Sequence, residues 1–94
     1  MTTKVIFRKF RDGEVIALFP EIACSNNLFE CMSYMHTGQH GAASVFVSGY
    51  TVRASAKESE NLREELKRQG YVLKEVKRFH PSDWQKRREQ IASK

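Results

Sequence analysis

Residues 4–19, KVIFRKFRDGEVIALF, hold two β-rich runs, KVIFRKF (4–10) and EVIALF (14–19), on either side of Asp12-Gly13. β-Branched and aromatic side chains favour a pleated strand, and Asp-Gly suits the positive φ angles of a type I′ turn, so the stretch predicts a β-hairpin. Pro20 has no amide to donate and ends the second strand. In that strand Val15, Ala17 and Phe19 share one face, and Ile16 and Leu18 share the other. Val5 and Phe7 share a face of the first strand, while Ile6 and Phe10 keep no clean parity with them. A hairpin apolar on both faces calls for cover on both, from its own chain or from another.

Working outward, Ser25-Asn26-Asn27 reads as a turn, and residues 28–36 (LFECMSYMH) alternate well enough for a third strand. Thr37-Gly38-Gln39-His40-Gly41 reads as a loop, because its two glycines favour unusual backbone angles. Residues 42–53 give divided signals: Val45-Phe46-Val47 and Tyr50-Thr51-Val52 favour strand, but Gly49 interrupts them, so the segment takes no assignment. Ser55 and Glu58 have the spacing of a capping box before a main helix over 56–69, with Leu62 and Leu66 on its inner face and Gly70 as a left-handed cap. Residues 71–79 (YVLKEVKRF) return as a strand that Pro81 stops. Ser82 with Gln85 is the expected cap of a short terminal helix through Lys94, which has only Trp84 and Ile91 to dock with and is expected to dock weakly or fray. The expectation is an α+β fold: an antiparallel sheet of three or four strands (4–10, 14–19, 28–36, 71–79), the main helix on one face, and a short C-terminal helix. Residues 1–79 form one domain in this reading, and 80–94 a basic helical extension.

The chain has 94 residues, of which 29% are charged and 11% aromatic, with a net charge of +5. That length fits one small core, and that composition argues against disorder. No apolar run reaches the roughly 20 residues a membrane span needs, and the first residues lack the apolar centre of a secretion signal, so a cytoplasmic protein without membrane contact is expected. Cys24 and Cys31 are too few for a disulfide framework and are expected as free thiols. The charge is lopsided: residues 1–50 are balanced, whereas residues 51–94 carry 12 basic against 7 acidic side chains. Lys74, Lys77 and Arg78, then Lys86, Arg87 and Arg88, flank His80-Pro81 in two clusters that would attract a polyanion.

The strings VIFRKFRDGEVIALFPE (5–21), CMSYMHTGQHGAAS (31–44) and LREELKRQGYVLKEVKR (62–78) resemble a group of short uncharacterised proteins of bacteriophages and bacterial mobile elements. The DGEVIALFPE run and the SYMHxGQHG string carry the resemblance. It implies a phage or mobile-element setting and transfers no catalytic residue. The sequence after about residue 80 lies outside it.

Cys24, Cys31, His36 and His40 are the residues able to form a zinc or hydrolytic site, but their spacing is poor. The cysteines lie too far apart for a paired zinc motif, and Gly38 interrupts the helical spacing of the histidines. A nucleophile at Cys31, Ser33 or Ser44 would need an orienting carboxylate, and only Glu30 lies near in sequence. No metal, cofactor or catalytic residue is therefore expected, and the protein is expected not to be an enzyme. Ile6, Phe10, Ile16 and Leu18 need more cover than one helix can give, which points to a protein partner or a second copy. The alternative is nucleic-acid association through Lys74, Lys77, Arg78, Lys86, Arg87 and Arg88, with Tyr71, Phe79 or Trp84 as stacking faces.

Overall fold

The structure, a computed structural model, describes residues 2–36 and 39–93, with the backbone alone at Gln39. β1 (Thr3–Lys9) and β2 (Val15–Phe19) form the antiparallel hairpin, with Ile6 opposite Leu18 and Arg8 opposite Ile16. Its turn is not type I′. Among the described residues only glycines have positive φ, Gly13 at 96°, so Asp12 does not adopt the left-handed conformation that type requires. Gly13 N–H donates to Phe10 C=O at 2.9 Å and Phe10 N–H donates to Glu14 C=O at 2.8 Å, a tight turn closed by a left-handed glycine.

β3 (Glu30–Met35) and β4 (Gln39–Ser44) extend the sheet antiparallel beyond β2, in the order β4-β3-β2-β1. β4 corrects the expected loop over 37–41, of which Thr37 and Gly38 lie outside the described residues. Glycine and alanine have weak strand propensity, and here pairing with β3 overrides it: Cys31 faces Ala43, and the Ser33 hydroxyl donates to Gly41 C=O at 2.9 Å. A 3₁₀ turn over Val45–Gly49 follows, started by Phe46 N–H donating to the Ser44 hydroxyl at 3.1 Å.

The far edge of β1 is shared. β5 (Val52–Arg53) pairs antiparallel with Arg8 and Lys9, and β6 (Leu73–Glu75) pairs parallel with Thr3–Val5. The sheet thus has six strands, more than the three or four expected, and one of them is parallel. Helix α1 (Glu60–Arg68) explains the parallel strand. Lys9 meets Glu58 before the helix, and Thr3 N–H donates to Val72 C=O at 2.7 Å after it. The helix therefore carries the chain from one end of β1 to the other, and β6 must start beside Thr3. The strand expected over 71–79 is cut short where the chain bends at Lys77 and Arg78.

Ser55 and Glu58 exchange the reciprocal backbone bonds of a capping box, at 2.9 and 3.1 Å, ahead of α1. Gly70, at φ 102°, ends the helix, and Tyr71 N–H reaches back to Leu66 C=O at 3.2 Å. Leu62 and Leu66 pack on Val5, Phe7, Ala17, Phe19 and Tyr34, which form one face of the sheet. Ile6, Ile16, Leu18, Cys31 and Ala43 form the other face, covered by Val47 of the 3₁₀ turn and by Val76 and Phe79. Ile6 is 1% exposed and Leu18 0%. The chain covers both faces of its own hairpin, which removes the expected ground for an external cover there.

Helix α2 (Pro81–Ala92) closes this second side. Its cap is His80 with Asp83 rather than Ser82 with Gln85: His80 N–H donates to Asp83 Oδ2 at 2.7 Å, and Ser82 N–H donates to His80 Nδ1 at 3.2 Å. Lys94, the expected end of the helix, lies outside the described residues. Among the described residues no helix is long and apolar enough to cross a membrane.

Arg63 ties α1 to β6 by a two-pronged bond to Glu75, at 2.7 and 3.0 Å, and holds the Glu75 carboxyl below its ordinary 4.5. The stability from a lowered carboxyl is complete above its ordinary value and is lost as pH falls through the lowered one. Glu75→Gln is therefore expected to be less stable than the parent at neutral pH, by less than about 1 kcal/mol for so exposed a pair. Thermal melts across pH should show that deficit closing in acid; a constant deficit would assign the effect to something other than charge.

Candidate functional site

The four residues proposed for a metal or hydrolytic site do not converge. Cys31 is buried on the α2 side of the sheet, and burial pushes its thiol up to about 11, away from the nucleophilic thiolate. Cys24 is half-buried in the β2–β3 loop. His40 lies on the α1 side, its Nε2 2.9 Å from the Tyr71 hydroxyl and its ring centre 4.8 Å from that of Tyr34. His36 Nδ1 is 3.2 Å from Glu65. The sheet itself stands between Cys31 and His40, and among the described residues no three His, Cys, Asp or Glu side chains are placed to hold a metal ion.

The two basic clusters separate into structural and exposed members. Arg87 is 3% exposed. Its guanidinium donates to Pro20 C=O at 2.5 Å and to Leu28 C=O at 3.1 and 3.3 Å, joining the two ends of the β2–β3 loop. Three turns of α2 contribute to the same attachment. Asp83, fully buried, accepts from Lys4 Nζ at 2.8 Å and holds that ammonium above its ordinary 10.5. Gln90 donates to Glu21 C=O and accepts from Ala23 N–H, both at 2.7 Å. Lys86 pairs with Glu21 at 3.0 Å. The helix expected to dock weakly through Trp84 is anchored by polar side chains instead, and the Arg87 guanidinium is engaged by the loop carbonyls. Lys74, Lys77, Arg78 and Arg88 remain exposed, and none makes an ion pair among the described residues.

An aromatic groove lies beside one of these exposed cations, Arg88. Phe46, in the 3₁₀ turn, and Phe29, just before β3, are 63% and 56% exposed, with rings stacked at 5.7 Å between centres. Phe46, Phe79, Pro81 and Trp84 line a shallow groove of about 360 Å³ between the 3₁₀ turn and α2. Arg88 covers the Trp84 ring at 5.5 Å, and Lys77 and Arg78 immediately precede Phe79. Sequence reasoning singled out Phe79 and Trp84 but missed Phe29 and Phe46. The available signal was Ser44 ahead of VFVSG: a capping hydroxyl before a short turn exposes residues that a strand would have alternated into the core.

A second cleft, of about 400 Å³, lies between the hairpin turn and the start of α1, lined by Asp12, Glu14, His36, Glu58 and Asn61. Its chemistry is turned inward. Asp12 accepts from Glu14 N–H, Glu58 from Ser55 N–H and from Lys9, and His36 pairs with Glu65. The groove at α2 is the stronger candidate, because Phe46 and its stacking partner Phe29 are largely exposed there and Arg88 lies on the Trp84 ring without an ion-pair partner among the described residues.

Compared with protein-family models, with curated proteins and with solved structures, the chain matches none.

Neighbouring arginines should behave oppositely. Arg87→Ala leaves two loop carbonyls without their donor and is expected to cost about 2–4 kcal/mol. Arg88→Ala removes only its packing on the Trp84 ring and should stay within about 0.5 kcal/mol. Urea denaturation of both variants checks this, and equal losses would contradict the division between structural and exposed cations.

Proposed function

We propose that this is a small non-catalytic binding protein, an accessory factor of a phage or mobile element, that holds single-stranded nucleic acid across the groove between the 3₁₀ turn and α2. The setting rests on the resemblance of the three sequence strings. The ligand rests on one observation: the exposed Phe29–Phe46 stack leads into a groove whose other wall is Trp84 under Arg88. Unstacked bases lie well on aromatic faces, while cations beside them follow the phosphates. A duplex hides its base faces, so stacking here favours a single strand. No base-reading motif accompanies the groove, which suits binding that tolerates any sequence.

A protein partner is the second reading, since exposed aromatics also characterise protein interfaces. The unpaired Lys74, Lys77, Arg78 and Arg88 favour the polyanion. For a partner protein the same cations would require an acidic surface, and oligonucleotides would then bind, if at all, without seating in the groove.

Trp84 is the chain's only tryptophan, so intrinsic fluorescence reports directly on the groove. Titration with oligo(dT) at low salt is expected to quench it, and a duplex of equal length is expected to bind more weakly without quenching. Phe46→Ala should weaken the single-strand complex by about 1–3 kcal/mol with the salt slope unchanged. Replacing Lys77, Arg78 or Arg88 by Gln should lower the slope of log K against log salt by about 0.7 for each phosphate that is no longer neutralised. Absence of binding at low salt overturns the proposal. Equal binding of duplex and single strand with unchanged Trp84 emission overturns it as well, by reducing the interaction to charge alone.

A further inference from the structure

The two edges of the sheet are built differently. The β1 edge is divided between β5 and β6, which are two and three residues long and carry Arg53, Lys74 and Glu75. Short, charged edge strands discourage another chain from adding on. The β4 edge has none of these guards. Gln39–Ser44 holds no proline and none of Asp, Glu, Lys or Arg, and its register with β3 runs unbroken from Glu30 opposite Ser44 to Met35 opposite Gln39, without a bulge.

The outward-facing backbone groups of this edge can be assigned. Val45 N–H donates to Phe29 C=O at 2.8 Å, which makes that pair a hydrogen-bonded one. Antiparallel pairs alternate, so Ala43, Gly41 and Gln39 bond inward to β3, while Ser44, Ala42 and His40 direct their N–H and C=O away from it. Ser44 C=O is taken up as the cap of the 3₁₀ turn; among the described residues no other element bonds to the remaining outward groups, Ser44 N–H and both groups of Ala42 and His40.

We propose that β4 pairs antiparallel with β4 of a second copy about a two-fold axis through Ala42, joining two sheets into one. In that register Ala42 meets Ala42, Gly41 meets Ala43, and His40 of one copy meets Ser44 of the other. A two-fold interface must be complementary to itself, and this strip of small residues is. Charge selects the occupant. The chain carries +5 overall, yet this edge carries no lysine, arginine or carboxylate to repel a second copy or to attract a charged peptide. The interface uses none of the side chains of the aromatic groove, so it stands or falls independently of the nucleic-acid proposal.

Sedimentation equilibrium of the full chain from micromolar to millimolar concentration tests this, with a reversible monomer–dimer equilibrium expected. Ala42→Pro removes an outward N–H and spares the bonds to β3, because proline is tolerated where an edge amide faces solvent. Ala42→Lys places two ammonium groups together at the axis, from a side chain that is exposed in the single copy. Each variant should retain the parent circular dichroism spectrum and weaken the dimer at least tenfold. The lysine variant decides the matter if proline disturbs the fold. A monomer at millimolar concentration overturns the proposal, as does a dimer that Ala42→Lys leaves intact.

Discussion

The Arg87 guanidinium holds two carbonyl groups that no strand can hold. β2 stops at Phe19 because Pro20 follows, and β3 does not begin until Glu30, so the intervening loop brings Pro20 and Leu28 C=O to the interior without ladder partners. Buried carbonyls need donors, and a planar fork reaching both meets that need from one side chain. Everything on the second side of the sheet follows from this attachment. With α2 fixed on the loop, Phe79 packs against Ile6, Leu18 and their neighbours, and Trp84 faces Phe46 across the groove. Asp83 supports the arrangement from the first turn by capping the helix and pairing with Lys4 of β1.

What could be read from the sequence was what periodicity and turn chemistry express. The hairpin is legible because Asp12-Gly13 divides two apolar runs, and α1 because Leu62, Leu66 and Gly70 sit at helical and capping positions. What could not be read was whatever depends on distant partners. β4 has no strand propensity of its own and exists by pairing with β3. β6 is parallel because α1 spans the length of β1, a fact of three-dimensional path length. α2 has almost no apolar stripe, since its anchors are Asp83, Arg87 and Gln90, and a polar residue that satisfies a backbone group far away in the chain leaves no local pattern.

The same limit governed the site. Counting charge placed Arg87 with Arg88, although one is interior and the other lies on the Trp84 ring. The apolar second face of the hairpin suggested a missing partner, and the chain supplies the cover itself. Large apolar side chains are instead left exposed at Phe29, Phe46, Tyr50, Val52 and Val72, and at Phe46 a 3₁₀ turn replaces the strand expected to bury it. Cys31 is enclosed on the α2 side of the sheet, whereas His36 and His40 are engaged toward α1, by Glu65 and Tyr71. The two proposals draw on what remains exposed, the aromatic groove with Arg88 and the β4 edge.

Native-state hydrogen exchange measures most directly whether α2 is part of the folded unit. If the Arg87 and Asp83 attachments hold it there, the hydrogen-bonded amides of residues 84–91 will exchange with an opening free energy close to that of β1–β3. Exchange of those amides at the rates of an unstructured peptide, while the sheet amides stay protected, would contradict the clamp and with it the groove it creates.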